Sequence, residues 1–150
     1  GPGFLLHHGF TYSGHPVVCT AGLENLRILA DEKLIERVDR LAPWFGERLE
    51  ALRRHPIVGD VRYAGLMGAV ELVADRATRA SFGADEAVPA RVRAACLARG
   101  VILRASVENV SICPPFVIRR KELDTLFDVL DAALGEVGAA LQAAGRVALG

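Results

Sequence analysis

The chain has 150 residues, of which 51% are apolar and 24% are charged, as in a folded globular domain rather than a disordered segment. Its 18 basic and 18 acidic residues give zero net charge, which argues against a nucleic-acid binder or a protein held on an anionic membrane. No apolar run reaches the roughly 18–20 residues of a membrane-spanning helix, and the first residues lack the positive region of a signal peptide.

The first third of the chain is predicted to be a loop followed by two helices. Residues 1–15 form the loop, and Pro16 suits the first turn of a helix over 17–30, because a first-turn residue has no helical partner for its N–H. Asp31 can cap a second helix with an apolar stripe that runs to Leu52. Pro43 is expected to break or kink that stripe early.

The remaining residues alternate between paired strands and helices. Strands are predicted over 57–62 and 66–73, then a polar loop over 75–86 and a helix over 88–99 that Gly100 caps in a left-handed conformation. Two further strands cover 101–104 and 110–113, and a long helix begins at residue 120 or 121. This order predicts an α+β fold, a small antiparallel sheet with helices packed on it.

The segment from Gly9 to Gly14 is a candidate anion site. Thr11 and Ser13 offer hydroxyl groups beside several backbone N–H groups, just ahead of a helix N-terminus, where phosphate binds without a cationic side chain. The alternative is that Ser13 or Thr11 caps the helix. The residues themselves favour neither.

Arg104 is a second candidate, because it ends a predicted apolar strand and is followed by a loop. A guanidinium in that position can reach a cleft and bind a carboxylate through two parallel hydrogen bonds. The more common situation for any single arginine is solvation or an ion pair on the surface.

Neither a metal site nor a cysteine nucleophile is indicated. The four histidines show no metal-binding spacing. Cys19, Cys96 and Cys113 lie in apolar runs, which predicts inert, buried thiols in a reducing, cytoplasmic compartment.

Four sequence motifs, in order, resemble those of class III pyridoxal-phosphate-dependent aminotransferases of the omega-transaminase type. Residues 8–16 read HGFTYSGHP, residues 55–62 read HPIVGDVR, residues 65–72 read GLMGAVEL, and residues 100–104 read GVILR, with a Pro-Pro pair at 114–115. The resemblance covers about residues 7–141. One departure is Tyr63, where the family usually has glycine, so the turn geometry there is in question.

The resemblance implies that the chain is the C-terminal portion of such an enzyme. Residues 1–30 would be the tail of the large cofactor domain, and residues 31–150 the C-terminal small domain of a fold type I enzyme. Phe10, through its backbone, and Thr11 would bind the phosphate of pyridoxal 5'-phosphate in the neighbouring subunit of a homodimer. Arg104 would be the mobile arginine that pairs with the substrate carboxylate and swings away for amine substrates.

The same resemblance implies that parts of the active site lie outside this sequence, including the lysine that forms a Schiff base with the cofactor. Lys33 and Lys121 are the two lysines here, and both lie in charged helix starts rather than in a desolvated pocket. The complete protein is therefore expected to move an amino group from an amino acid or amine to a keto acid or aldehyde, while this chain alone is inactive. The alternative is a non-catalytic association module, or an inactive fragment, that needs the missing large domain.

Overall fold

The computed structural model describes residues 9–147. It falls into two compact units, with the boundary between Ile35 and Glu36. The elements comprise four α-helices and four strands, whose bounds are α1 (Pro16–Asp31), α2 (Leu34–Ala51), β1 (Val58–Ala64), β2 (Met67–Leu72), α3 (Val88–Leu97), β3 (Arg104–Ala105), β4 (Asn109–Ile112) and α4 (Arg120–Ala143).

Helix α1 dominates the first unit and begins with Pro16, as predicted. None of its residues is buried. Five of its large apolar side chains are exposed, namely Val17, Val18, Leu23, Leu26 and Ile28. The helix ends at Asp31, and Lys33 follows in the left-handed region with a φ of +51°.

Helix α2 continues through Pro43 to Ala51, so of the two expected effects of this proline, a break or a kink, the break is wrong. Proline inside a helix costs about 3 kcal/mol, because it removes a hydrogen bond and crowds the preceding turn. The residues after Pro43 offset that cost. Phe45 and Leu49 are fully buried, and Leu52 continues the stripe in a short 3-10 turn over Leu52–Arg54.

The four strands form one antiparallel sheet in the order β1-β2-β4-β3. Val61, Val70 and Val110 lie side by side in the register and are all buried, so one face of the sheet belongs to the core. Gly65 opens the two-residue β1–β2 turn with a φ of +58°, a conformation that favours glycine. The predicted α+β fold with a small antiparallel sheet is confirmed.

Tyr63 fits this hairpin despite the departure from the family pattern. It pairs with Gly68 in the β1–β2 ladder, so the turn itself lies further along the chain. A Cβ atom on Gly46 of α2 would lie 2.5 Å from the Tyr63 ring, and one on Gly68 would lie 2.6 Å from Leu49 Cδ1. These two glycines therefore allow α2 to approach the hairpin closely.

The sheet departs from the sequence prediction at its third strand. A strand was expected over 101–104, but β3 contains only Arg104 and Ala105, and Arg104 begins the strand instead of ending it. Two register pairs with β4 are all that form, because the Ser106 N–H donates to the Asn109 carbonyl and turns the chain back. Helix α3 ends at Leu97, two residues early, while Gly100 has the expected left-handed φ of +82°.

Aromatic side chains join α2 to α4 in the core of the second unit. The Phe127 ring on α4 meets the Trp44 and Phe45 rings edge to face, with centroid distances of 5.7 and 5.3 Å. The Arg120 guanidinium lies 3.8 Å from the centroid of the Trp44 ring, on the outer side of this cluster. These contacts position α4, which in turn forms part of the cavity described below.

The cysteines are not uniformly buried, so that prediction holds for Cys96 alone. Burial raises the pKa of the Cys96 thiol to about 11, because the thiolate would lose its hydration. Cys19 and Cys113 are exposed. Their apolar sequence neighbours misled the prediction, since Cys19 lies on the exposed helix α1 and Cys113 follows the end of β4.

Candidate functional site

The segment before α1 forms two consecutive tight turns. The Ser13 N–H donates to the Phe10 carbonyl at 2.9 Å, and the His15 N–H donates to the Tyr12 carbonyl at 3.2 Å. Gly14 has a φ of +74°, which allows the second turn. Thr11 lies at the tip of the first turn and is exposed to solvent. The two turns therefore present the Thr11 hydroxyl group at the surface, directly ahead of helix α1.

The capping alternative for this segment is wrong. The residue that caps α1 is His15, and no side chain forms a capping hydrogen bond there. Thr11 Oγ1 makes no hydrogen bond to any residue in the described range 9–147. The hydroxyl group therefore remains available to a ligand.

The second unit contains a cavity of about 600 Å³, which we call the Arg104 groove. It is formed by the chain that enters β3, the end of β4 with the Pro114-Pro115 pair, and the first turns of α4. Its walls are mainly apolar. The lining residues are Gly100, Val101, Ile102, Leu103, Arg104, Ser111, Cys113, Pro114, Pro115, Ile118, Glu122, Thr125 and Leu126.

Arg104 carries the unpaired charge of this groove. It is exposed, lies opposite Ser111 in the β3–β4 register, and has no ion pair or hydrogen bond among residues 9–147. Glu122 also lines the groove, but Arg119 holds it through a side-chain contact of 2.6 Å and a backbone N–H donation of 2.7 Å. These hydrogen bonds lower the pKa of Glu122, whose charge is therefore already compensated.

The wall after Pro115 is tied to α2 by an arginine that the sequence did not single out. Arg37 donates from Nε to the Phe116 carbonyl at 3.1 Å, and from Nη2 to the Ile118 carbonyl. No local pattern marks this residue, because its partners lie about 80 positions along the chain. Ile102, which is 84% exposed, was taken for part of a strand. Its position two residues before Arg104 is the signal that could have placed it in the groove.

The lysines and the candidate metal ligands can also be placed in the structure. Lys33 and Lys121 are both exposed, the first between α1 and α2 and the second in the first turn of α4. In the part of the chain that is described, no three His, Cys, Asp or Glu side chains gather as metal ligands would. None of the described helices is both long and apolar enough to cross a membrane.

The sequence matches the family model of class III aminotransferases over residues 3–134. The putrescine–pyruvate aminotransferase of Pseudomonas aeruginosa is 41% identical over 138 residues, which are 91% of this chain and 30% of the relative. The mitochondrial gamma aminobutyrate transaminase 1 of Solanum lycopersicum is 38% identical, over 86% of this chain and 25% of the relative. A crystal structure of a PLP-bound aminotransferase mutant from Vibrio fluvialis superposes with a TM-score of 0.83 at 38% identity, over 90% of this chain and 30% of that chain.

The fold and the sequence motifs are those of an aminotransferase. The chain belongs to the class III aminotransferases. It spans about a quarter to a third of the length of the relatives that it matches. Phe10 and Thr11 fall in the first unit and Arg104 falls in the second.

Proposed function

We propose that this chain is the C-terminal portion of a pyridoxal-phosphate-dependent aminotransferase that moves an amino group from an amino acid or amine to a keto acid or aldehyde. The observation that carries the proposal is Arg104, an arginine without a partner among the described residues, in an apolar-walled groove of about 600 Å³. The family membership supplies the reaction class.

Arg104 suits the role of a carboxylate clamp. Its planar guanidinium can give two parallel hydrogen bonds to a carboxylate, and the apolar walls would strengthen that pair by excluding water. Because no described residue holds the side chain, it is free to turn toward an acid substrate and away from an amine. Relatives named for putrescine and for gamma-aminobutyrate illustrate a plain diamine and a carboxylate-bearing amine within one family.

The turn before α1 suits a phosphate group. The unengaged hydroxyl of Thr11 and the backbone of Phe10 would contact the phosphate of pyridoxal 5'-phosphate in the neighbouring subunit of a homodimer. The cofactor, when bound, supplies an electron sink for bond breaking at the substrate amine carbon. In this assignment the chain holds the cofactor phosphate through Phe10 and Thr11 and orients the substrate carboxylate through Arg104. The proton-transferring lysine comes from the large domain.

We expect the isolated chain to be colourless and inactive. Both of its lysines are exposed, and neither lies in a pocket that would activate an amine for Schiff-base chemistry. Incubation with the cofactor and borohydride, followed by peptide mass mapping, should leave Lys33 and Lys121 unlabelled. Stoichiometric labelling of one specific lysine would contradict this expectation.

The exposed apolar residues of α1 favour association as the second candidate function. Val17, Val18, Leu23 and Leu26 offer a surface that needs a partner, either the large domain or a second copy. We expect the isolated chain to self-associate in sedimentation experiments as concentration rises, and Leu23→Glu to reduce that association. A strictly monomeric profile at high concentration, without binding of an apolar dye, would count against it.

A graft tests the proposed function directly. In it, this chain replaces the matching third of the Vibrio fluvialis aminotransferase. We expect the graft to retain cofactor and to transaminate, because the matched segments share 38% of their residues and superpose closely. A graft that binds the cofactor but transfers no amino group from acids or from amines would refute the proposal. Cytoplasmic location and homodimer formation stay predictions.

A further inference from the structure

A second cavity, of about 440 Å³, lies on the outer side of the β1–β2 hairpin. It shares no lining residue with the Arg104 groove. Four of its lining residues are arginines and two are acidic. The lining consists of Arg53, Gly59, Asp60, Arg62, Glu71, Val73, Arg76 and Arg79.

Two of these arginines are already neutralised by carboxylates. Arg53 donates to Glu50 at 2.6 Å and to Asp60 at 2.8 Å. Arg62 donates to Glu71 at 2.6 Å and to Asp60 at 3.3 Å. The hydrogen bond from Arg53 also lowers the pKa of Asp60, which favours the ionised form of the carboxylate that both arginines share.

The other two arginines keep their charge uncompensated. Arg76 donates to the carbonyl oxygens of Val58, at 2.8 Å, and of Arg53, which fixes its position without neutralising it. Arg79 has no hydrogen bond or ion pair with any described residue. The cavity is therefore lined by two cationic side chains without a carboxylate partner, Arg76 held by backbone carbonyls and Arg79 held by no described residue.

A tight turn between residues 74 and 80 presents both side chains. The Ala74 N–H donates to the Ala80 carbonyl at 2.8 Å and closes the turn. The Asp75 carboxylate accepts a hydrogen bond from the Ala77 N–H at 2.7 Å, which fixes it within the turn, and Asp75 does not line the cavity. Arg79 holds a φ of +58°, a left-handed conformation that is strained for a residue other than glycine. Strained backbone positions cluster at active sites and ligand clamps, and this one carries a cationic side chain that lines the cavity.

We propose that this cavity binds a small multivalent anion, such as a phosphorylated or polycarboxylate metabolite, between Arg76 and Arg79. A tetrahedral phosphate or a carboxylate can accept two parallel hydrogen bonds from each guanidinium. The volume is large enough for a small metabolite. The anion would join the turn at residues 74–80 to the β1–β2 hairpin, at a site separate from the Arg104 groove.

Calorimetric titration of the full chain with pyrophosphate tests the proposal. We expect saturable binding at one site, weakened about tenfold or more by Arg79→Gln, because one charge-assisted contact is lost. Arg93→Gln is the matched control, since Arg93 is an exposed, unpaired arginine on α3 outside this cavity. It should leave the affinity unchanged. Citrate is titrated in parallel as a polycarboxylate probe. Tighter binding of pyrophosphate identifies a phosphorylated metabolite as the ligand class, and tighter binding of citrate identifies a polycarboxylate.

Arg79→Gly separates loss of binding from loss of folding. Glycine accepts a φ of +58° without strain, so this variant should keep the thermal midpoint of the parent while losing affinity as Arg79→Gln does. The proposal is overturned if neither anion saturates the protein. It is also overturned if Arg93→Gln weakens binding as much as Arg79→Gln, which would show attraction to general surface charge only.

Discussion

Arg104→Ala in the active graft is expected to lower kcat/KM for amino and keto acids by roughly thirty- to a thousandfold, and to change it little for a plain amine. The guanidinium can pair only with substrates that carry a carboxylate. Losing one partner of a desolvated charge pair costs about 2–4 kcal/mol, which sets this range. The measurement is a set of steady-state rates for an acid and for an aryl-alkyl amine with the same preparation.

Each substrate serves as the control for the other, because both react in the same protein with the same cofactor, lysine and fold. Arg104→Lys should restore only part of the loss, since an ammonium group cannot present a planar fork. Equal falls for both classes would mean that Arg104 holds the start of β3 and binds no substrate. That outcome would also be visible as a lower thermal midpoint.

Thr11→Ala in the same graft is expected to speed the loss of cofactor by roughly one to two orders of magnitude. A hydrogen bond to a charged phosphate contributes about 1.5–3 kcal/mol, and this hydroxyl is one donor among several. The fold should be unaffected, because Thr11 is exposed and Oγ1 has no hydrogen bond to another described residue. Release of the cofactor can be followed by its absorbance after dilution.

Ser13→Ala is the matched control for Thr11→Ala. It removes a hydroxyl group from the same pair of turns, and no described residue depends on that group either. The Ser13 variant should retain cofactor as the parent graft does. If the Thr11 variant released the cofactor no faster than the parent graft, the Thr11 hydroxyl would not be a phosphate ligand. Only the backbone of the turn would then remain as a phosphate contact.

Local sequence patterns predicted the elements whose stability is local. The helix over 17–30, the two strands of the hairpin and the long last helix follow from apolar spacing and from Pro16 and Gly65, and the structure has all of them. Pro43 shows where the local rule fails. The burial of Phe45 and Leu49 outweighs a proline in the middle of the helix, and this burial depends on a sheet that comes later in the chain.

The candidate site was predictable only in part, for the same reason. Thr11 and Arg104 stand beside recognisable turns and strand ends, so the sequence could name them. The Arg104 groove needs Ile118 and Leu126 from other segments, and its wall needs Arg37 from α2. Contacts between residues some 80 positions apart leave no local periodicity. The same holds for the arginines around the second cavity, because no local pattern singles out Arg79 and only the folded chain places it in one cavity with Arg53 and Arg62.

The arrangement of Trp44 determines what an optical unfolding experiment reports. Trp44 is the single tryptophan, and it lies in the second unit between the Phe127 ring and the Arg120 guanidinium. Its emission will follow the separation of α2 from α4, both of which pack around the indole. Far-ultraviolet circular dichroism registers all four helices. Denaturation curves from the two signals, recorded on one sample, will therefore coincide only if both units unfold in a single cooperative step.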